Sequence, residues 1–233
     1  MKKLFFVVAI FWMSLPLMAQ DETTNSEAVV ETRQLAPFEN LTVSRGINVT
    51  LVEGLSPKAE IHIQNAPVDD VLLEQSNKNL TVRMRARINR DVAVNVYLYY
   101  QNINEITASS GASVYSEDIL ETDFLKLVTG TDASIQLEIE VNKLEASASA
   151  SRIELMGSAQ SMDINATTGG RFLGANLESK VALIRVNTGA SAQVWVTENL
   201  SARAGSGASI EYTGDPAKVE VHTSLGGRIE AIK

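Results

Sequence analysis

The 233-residue sequence contains no cysteine and only two histidines, His62 and His222. Without cysteine the chain forms no disulfide and no thiolate metal site, and it offers no thiol nucleophile. A nucleophilic serine needs an adjacent base that a third group orients, and two isolated histidines do not supply that arrangement. These absences argue against an enzyme, and we expect no catalytic residues.

Sequence motifs that hold cofactors or metals are also missing. No glycine-rich phosphate loop or dinucleotide-binding fingerprint occurs in the sequence. The acidic residues are scattered, whereas a calcium site needs several oxygen ligands close together. The glycine and aspartate repeats that bind calcium in some β-rolls are absent as well. We therefore expect no cofactor and no metal site.

Positive charge and aromatic residues are both scarce. The sequence has 20 Lys and Arg against 28 Asp and Glu, for a formal net charge of −8. An acidic chain is a poor ligand for nucleic acid, because binding to the phosphate backbone depends on neutralising cations. Aromatic residues make up 6% of the chain while 45% of it is hydrophobic. Small and branched side chains must therefore fill the core, which favours β-structure.

The longest apolar run lies in the first twenty residues, MKKLFFVVAIFWMSLPLMAQ. Lys2 and Lys3 precede the apolar segment and Ala19 closes it, which is the layout of a secretory signal peptide. Ser14 and Pro16 interrupt the segment, and it is short for a membrane span. We expect cleavage after Ala19, with no integral membrane segment left, and export to the periplasm, the outer-membrane surface or the medium.

The mature chain divides into a short polar segment and one long β-domain. Residues 20–37 are acidic with little periodicity, which predicts a flexible N-terminus. From Phe38 short stretches of alternating apolar residues begin, so we expect residues 38–233 to form a single domain. Within it, residues 68–80 mix apolar and polar residues, which predicts a short helix or a turn.

Residues 80–100 predict two strands around Arg90. Their even-numbered residues are apolar and should be buried: Val82, Met84, Ala86, Ile88, Val92, Val94, Val96 and Leu98. If the two strands pair as a hairpin, Arg83 faces Tyr97, and the outward residues form one patch: Arg83, Arg85, Arg87, Tyr97 and Tyr99. Such a patch suits a sugar or an anionic polymer. The alternative is an ordinary solvated face with cross-strand stacking.

A motif of four small residues recurs along the chain from about residue 104. Its copies are SGAS (110–113), TDAS (131–134), SASR (149–152), TGGR (168–171), TGAS (188–191), SGAS (206–209) and LGGR (225–228). The fourth and last column of the motif recurs at intervals of 21, 18, 19, 20, 18 and 19 residues. The alignment of the third copy can be shifted by one residue. A fixed period with short strands in each unit predicts a parallel β-solenoid with coils of about 19 residues, rather than an antiparallel β-sandwich.

The motif itself is interpreted as a corner. Glycine adopts positive φ without steric cost, and alanine or serine fits where a larger side chain would strike the next coil. The first column aligns hydroxyl groups that can bond to one another or to free backbone groups: Ser110, Thr131, Ser149, Thr168, Thr188 and Ser206. Arg152, Arg171 and Arg228 share the last column. They are weaker binding candidates, because they do not occupy consecutive coils throughout.

Three segments resemble a known family, the head GIN domain of auto-transporter adhesins. They are SRGINVTLVEG (44–54), NLTVRMR (79–85) and VAVNVYLYYQNINEITASSGASV (92–114). The resemblance extends from about Phe38 to the end, although residues 83–90 are more basic than the family pattern. It implies a right-handed parallel β-helix and a secreted or surface protein of Bacteroidetes-type bacteria. No catalytic or ligand residues are implied.

These observations predict an exported, non-enzymatic β-solenoid that acts as an adhesin or structural binding module of the cell envelope, with a glycan or a surface or matrix protein as its partner. One alternative is a carbohydrate-active or polysaccharide-binding β-helix protein, which as an enzyme would need a cleft with two carboxylates or a carboxylate–arginine pair. Another is a periplasmic subunit that associates with a protein partner or with itself through the solenoid ends, because such ends need capping.

Overall fold

The computed structural model describes residues 29–86 and 92–232, which form 16 β-strands and one short 3-10 helix, Val68–Asp70. The first eight strands are β1 (Val29–Gln34), β2 (Asn40–Ser44), β3 (Asn48–Glu53), β4 (Lys58–Gln64), β5 (Val71–Ser76), β6 (Asn79–Met84), β7 (Ala93–Tyr100) and β8 (Glu105–Ser109). The others are β9 (Ser113–Gly130), β10 (Ser134–Ser149), β11 (Arg152–Thr167), β12 (Arg171–Val186), β13 (Ser191–Ala204), β14 (Ser209–Thr213), β15 (Lys218–Thr223) and β16 (Arg228–Ala231). Within these ranges no helix is long and apolar enough to cross a lipid bilayer.

The long strands from β9 to β13 stack in parallel, each one coil further along the chain. Ser134 of β10 pairs with Ser113 of β9 on one side and with Arg152 of β11 on the other, so the last column of the motif is in register on successive coils. The same stacking continues through β12 and β13 and gives a β-solenoid of about seven turns. The predicted all-β parallel solenoid is therefore confirmed.

Each coil contributes to two walls of the solenoid. Wall A contains β2, β5, β6, β8, β15 and the later halves of β9 to β13. Wall B contains β1, β3, β4, β7, β14, β16 and the earlier halves of β9 to β13. Apolar side chains from both walls meet between them in one core, which includes Leu41 of wall A and Val49 of wall B.

The small-residue motifs lie at the corners where wall A leads into wall B. At Thr188-Gly189 both residues have positive φ, 55° and 67°, and the Ala190 N–H donates to the Asn187 carbonyl at 3.3 Å. Two consecutive positive φ angles closed by such a bond are typical of a tight type I′ turn. Arg45 and Gly46 have the same pair of angles, so the corner also occurs in the N-terminal part, where the repeat was not predicted.

The third corner column explains why the motif stays small. Its alanines are at most 2% exposed: Ala112, Ala133, Ala190 and Ala208. Gly170 and Gly227 stand in the same column, and a Cβ at these glycines would lie 2.3 Å and 2.2 Å from the carbonyl oxygens of Ala148 and Ala204. At these two glycines the neighbouring coil therefore leaves no room for a side chain, as predicted, whereas the corner at Arg45 and Gly46 accommodates the buried Ile47 in this column.

The predicted ladder of hydroxyls in the first corner column is wrong. In the described part of the chain, the bonds between two hydroxyls of different coils instead join Ser134 to Ser113 at 3.0 Å and Thr129 to Ser151 at 2.7 Å. The first-column residues are mostly exposed, because the positive-φ positions lie at the tip of the turn. At the third corner Ala150 takes that position while Arg152 stays in the last column, so the copy is not shifted as a whole but its corner is one residue shorter than the adjacent ones.

The N-terminal segment departs from its prediction. Residues 29–34, expected to be flexible, form β1 and pair antiparallel with β4. The Arg33 guanidinium also donates to the carbonyls of Val71 and Val68 at 2.7 Å and 3.3 Å, which ties β1 to the chain on the opposite wall. The expected signal peptide and residues 20–28 lie outside the described residues.

Candidate binding surface

The predicted hairpin of residues 80–100 does not form. β6 pairs with β2 and β5 in wall A, whereas β7 pairs with β3 and β4 in wall B. Arg83 therefore faces Leu72 and Ser44, and Tyr97 faces Thr50 and Glu60. An alternating pattern reports which face of a strand a side chain occupies but not which strand lies beside it. The predicted patch is split between the two walls.

The arginine half of the patch lies beside acidic residues of wall A. The Arg83 guanidinium donates to the Glu74 carboxylate at 2.6 Å, and Arg85 Nε lies 3.9 Å from Asp70 Oδ1. β6 ends at Met84, so Ala86, predicted to be buried, is exposed. Ile88 and Arg87 lie outside the described residues. A partly exposed ion pair already occupies Arg83, so it is a poor anchor for a ligand.

The tyrosine half of the patch lies on the outward side of wall B. The Tyr97 ring is 39% exposed and meets His62 edge-on, with 5.2 Å between ring centroids. His62 in turn hydrogen-bonds Glu60 at 2.8 Å. Lys58 Nζ lies 4.1 Å from the centroid of the Tyr99 ring, a cation–π contact. Both tyrosines are thus held by neighbours on β4. Whether the five residues of the original patch bind a ligand stays a prediction.

The next tyrosine, Tyr100, points into the protein and is only 4% exposed. Burial, reinforced by the carboxylates of Glu53 and Asp118, raises the pKa of Tyr100 from its usual 10.0 to about 12. The raised pKa means that folding favours the neutral phenol. This contribution to stability is complete below pH 10 and is lost as the pH rises towards 12.

We expect the free energy of unfolding to fall between pH 10 and 12, by about 2 kcal/mol from Tyr100 alone. Urea titrations across this pH range should show that Tyr100→Phe removes most of the fall, because phenylalanine keeps the ring without the proton. Tyr99→Phe is the matched control and should keep the wild-type slope. An unchanged slope in Tyr100→Phe would contradict this account.

Outward side chains of wall B form two rows that run along the solenoid axis. The first row contains Asn95, Asn48, Ser113, Ser134, Arg152 and Arg171, one from each successive strand. The second contains Tyr97, Thr50, Tyr115, Gln136 and Glu154. Tyr115, 41% exposed, was missed in the sequence, although its fixed position two residues after a corner motif could have identified it.

Arg152 and Arg171 lie directly opposite each other on consecutive coils and both are exposed. They line an open groove of about 530 Å³ together with Asp132, Ser134 and Glu154. Across the described ranges, neither guanidinium forms an ion pair or a side-chain hydrogen bond. Like charges opposite each other on paired strands are destabilising, so this pair calls for a binding explanation. Arg228 is separated from it by the Ser191 and Ser209 positions.

No group of three or more His, Asp or Glu side chains is arranged to hold a metal ion in the part of the chain that the structure describes. The outward groups of the two rows are instead amides, hydroxyls, phenol rings, guanidinium groups and the carboxylate of Glu154, which bind ligands through hydrogen bonds, stacking and charge. This arrangement can hold an extended polar ligand on an open surface.

Comparison with known families identifies the chain. Residues 37–216 match the family described as "Putative auto-transporter adhesin, head GIN domain". The chain belongs to this family. In this head GIN domain Gly46, Ile47 and Asn48 form the first corner: Ile47 is fully buried, and Asn48 points outward and donates to Asn95 at 3.1 Å. No curated protein matches the chain.

Solved structures share the head GIN fold at low sequence identity. A putative adhesin from Bacteroides fragilis is 16% identical, with a TM-score of 0.78 over 88% of this chain and 97% of that one. One from Parabacteroides merdae is 21% identical, with a TM-score of 0.69 over 90% and 98% of the two chains. A putative lipid binding protein from Parabacteroides distasonis is 15% identical, with a TM-score of 0.68 over 90% and 98%. These similarities show a common fold and leave the ligand to be argued from the surface.

Proposed function

We propose that this head GIN domain protein is an exported, non-enzymatic adhesin or binding module of the cell envelope, and that wall B carries its binding face. The observation that supports this most is that two arginines, Arg152 and Arg171, form no ion pair among the described residues and lie on the same wall as the exposed Tyr97 and Tyr115. Exposed arginine and tyrosine are enriched at binding interfaces. A rigid wall holds such residues in place without an ordering cost on binding.

Export is part of the proposal. We expect a signal peptide to be removed after Ala19, which leaves one domain that includes β1 as well as residues 38–233. The mature protein would then lie in the periplasm, on the outer-membrane surface or in the medium. Self-association through the solenoid ends stays a prediction.

The experiment expresses the full chain in a Gram-negative host and then screens the mature protein against arrays of glycans and matrix proteins. Mass spectrometry should find a mature N-terminus at Gln20 in the envelope or medium fraction. At least one class of glycan or matrix protein should bind the mature protein. Retention of the uncleaved chain in the cytoplasm would contradict the export proposal, and an array without any bound partner would contradict the binding role.

The carbohydrate-active alternative has one observation in its favour. The groove beside Arg152 also contains the carboxylates of Asp132 and Glu154. Glycoside hydrolysis depends on two carboxylates that flank the scissile bond, so these two side chains are the ones to test. Incubation of the mature protein with the glycans it binds should release no reducing ends. Release that Glu154→Gln abolishes would establish the alternative.

A further inference from the structure

We propose that the outward face of wall B binds one acidic polysaccharide chain, which carries carboxylate or sulfate groups and lies along the solenoid axis from Tyr97 to Arg171. This inference rests on the proposed binding function and names its ligand class. The site is formed by the two rows described above, and its aromatic end and its cationic end lie on different coils.

The rows have the length of an extended polymer site. Asn95 of β7 and Arg171 of β12 are separated by five steps between paired strands. At about 4.8 Å per step, the first row spans about 24 Å. The second row runs beside it, two residues further along each strand. A single extended chain therefore contacts both rows at once.

The tyrosine end is suited to sugar rings. Thr50 of β3 lies between Tyr97 and Tyr115 in the same row, so the two tyrosines are separated by two strand steps, about 10 Å. Their exposed fractions are 39% and 41%, which leaves ring surface for the apolar faces of pyranose rings. Beside them Asn48 donates one hydrogen bond to Asn95, and both amides keep further donors and acceptors for sugar hydroxyls.

The arginine end is suited to an anionic group, although Asp132 and Glu154 line the same groove. Arg152 and Arg171 repel each other without a carboxylate partner among the described residues. A carboxylate or sulfate group placed between two guanidinium groups would accept charge-assisted hydrogen bonds from both and remove the repulsion. Ser134, in the same row and groove, already donates its hydroxyl to Ser113, so the two arginines are the donors at this end.

The sparse positive charge favours an acidic polysaccharide over single-stranded nucleic acid. Stacking on tyrosine and contact with arginine also suit nucleic acid, but a nucleic acid carries a phosphate at every nucleotide. The first row has only two cations in six positions, and Glu154 lies in the second row. The chain as a whole has a net charge of −8. A polymer that combines uncharged ring faces with spaced acidic groups matches this distribution better.

Wall A provides a matched control. Arg185 and Arg203 also lie opposite each other on consecutive strands, β12 and β13. There the Arg185 guanidinium donates to the Asp163 carboxylate at 2.8 Å. Replacing these two arginines removes the same charge from the same fold and leaves wall B unchanged. A loss of general electrostatic attraction can thus be separated from the loss of a binding site.

The test measures binding of the mature protein, residues 20–233, to polygalacturonate, chondroitin sulfate, neutral pullulan and single-stranded DNA by titration calorimetry. The wild type should bind one or both acidic polysaccharides and bind pullulan and DNA much more weakly. The double variant Arg152→Gln/Arg171→Gln should weaken binding by about tenfold or more. Tyr97→Ala/Tyr115→Ala should weaken binding by about tenfold as well, because each substitution removes a ring against which a sugar can stack. Arg185→Gln/Arg203→Gln should change it less than about twofold.

Circular dichroism melts confirm that each variant is folded before it is compared. Equal weakening by the wall A variant, or tighter binding of DNA than of either acidic polysaccharide, would overturn the inference. Failure of both polysaccharides to bind, while the array finds another partner, would also overturn it but leave the proposed binding function standing. If the array also finds no bound partner, both the proposed binding function and this inference are contradicted.

Discussion

Phe172→Ala should lower the free energy of unfolding by about 3–5 kcal/mol. Phe172 is fully buried and heads the largest fully buried side chains of the core. Its register partners on the adjacent coils are Ile153 and Ala192. Because β12 is paired at this position with β11 on one side and β13 on the other, the core cannot collapse fully into the space that the ring leaves. A cavity therefore adds its cost to the lost burial of the ring.

Urea unfolding monitored by the fluorescence of Trp195 measures this effect. Trp195 lies in β13, the strand that pairs with β12, and it is the single tryptophan left once the signal peptide is removed. Phe124→Ala is the control, because Phe124 is only half-buried and packs beside Lys143 near the surface. It should cost clearly less than Phe172→Ala. Equal losses for the two variants would show that burial does not set the cost.

A second variant tests whether the ring is fitted to its neighbours. A Cβ at Gly174 would lie 2.6 Å from Cε1 of Phe172 and 3.2 Å from the Gln193 carbonyl oxygen. Gly174→Ala should therefore destabilise the wild type but cost much less in the Phe172→Ala background, where the ring is gone. A double-mutant cycle measures this coupling. Additive losses would mean that the ring and the glycine are not packed against each other.

The recurrence of small residues was sufficient to predict the solenoid because every coil must turn at the same place and leave room for the next. Gly170 and Ala190 are small for that reason, and the reason is local enough to appear in the sequence. Which strand pairs with which, by contrast, depends on contacts between residues that are far apart in the sequence. Alternation placed Val82 and Val96 in the core correctly, yet it could not separate a hairpin from two strands in different walls.

The candidate site was harder to predict for the same reason. Arg152 and Arg171 were identified as aligned, but their importance depends on the absence of a carboxylate partner in the described structure, which alignment does not report. Tyr115 became visible only when register placed it in one row with Tyr97 through Thr50. Side chains from distant parts of the sequence share this face because parallel stacking aligns equivalent positions of successive coils.

Gly157→Ala should cost more than about 3 kcal/mol, because it combines two independent penalties. Gly157 lies within β11, where the chain passes from wall B to wall A, and its φ is +105°, a region that side chains other than hydrogen rarely adopt. A Cβ there would also lie 2.2 Å from the carbonyl oxygen of Ile139, a backbone atom of the adjacent coil. Backbone strain costs about 1–3 kcal/mol, and the contact with a hydrogen-bonded backbone adds to it. Urea unfolding measures the total.

Two other glycines separate the two penalties. Gly111 has a φ of +75° and no atom within 4 Å of the place a Cβ would occupy, so Gly111→Ala should show the backbone strain alone, about 1–2 kcal/mol. At Gly130 φ is not positive and the nearest atom would be 4.0 Å away, so Gly130→Ala should be close to neutral. The order Gly157, Gly111, Gly130 follows if both penalties act. If Gly157→Ala costs no more than Gly111→Ala, the backbone at this bend can shift away from the Ile139 carbonyl, and the contact adds no penalty of its own.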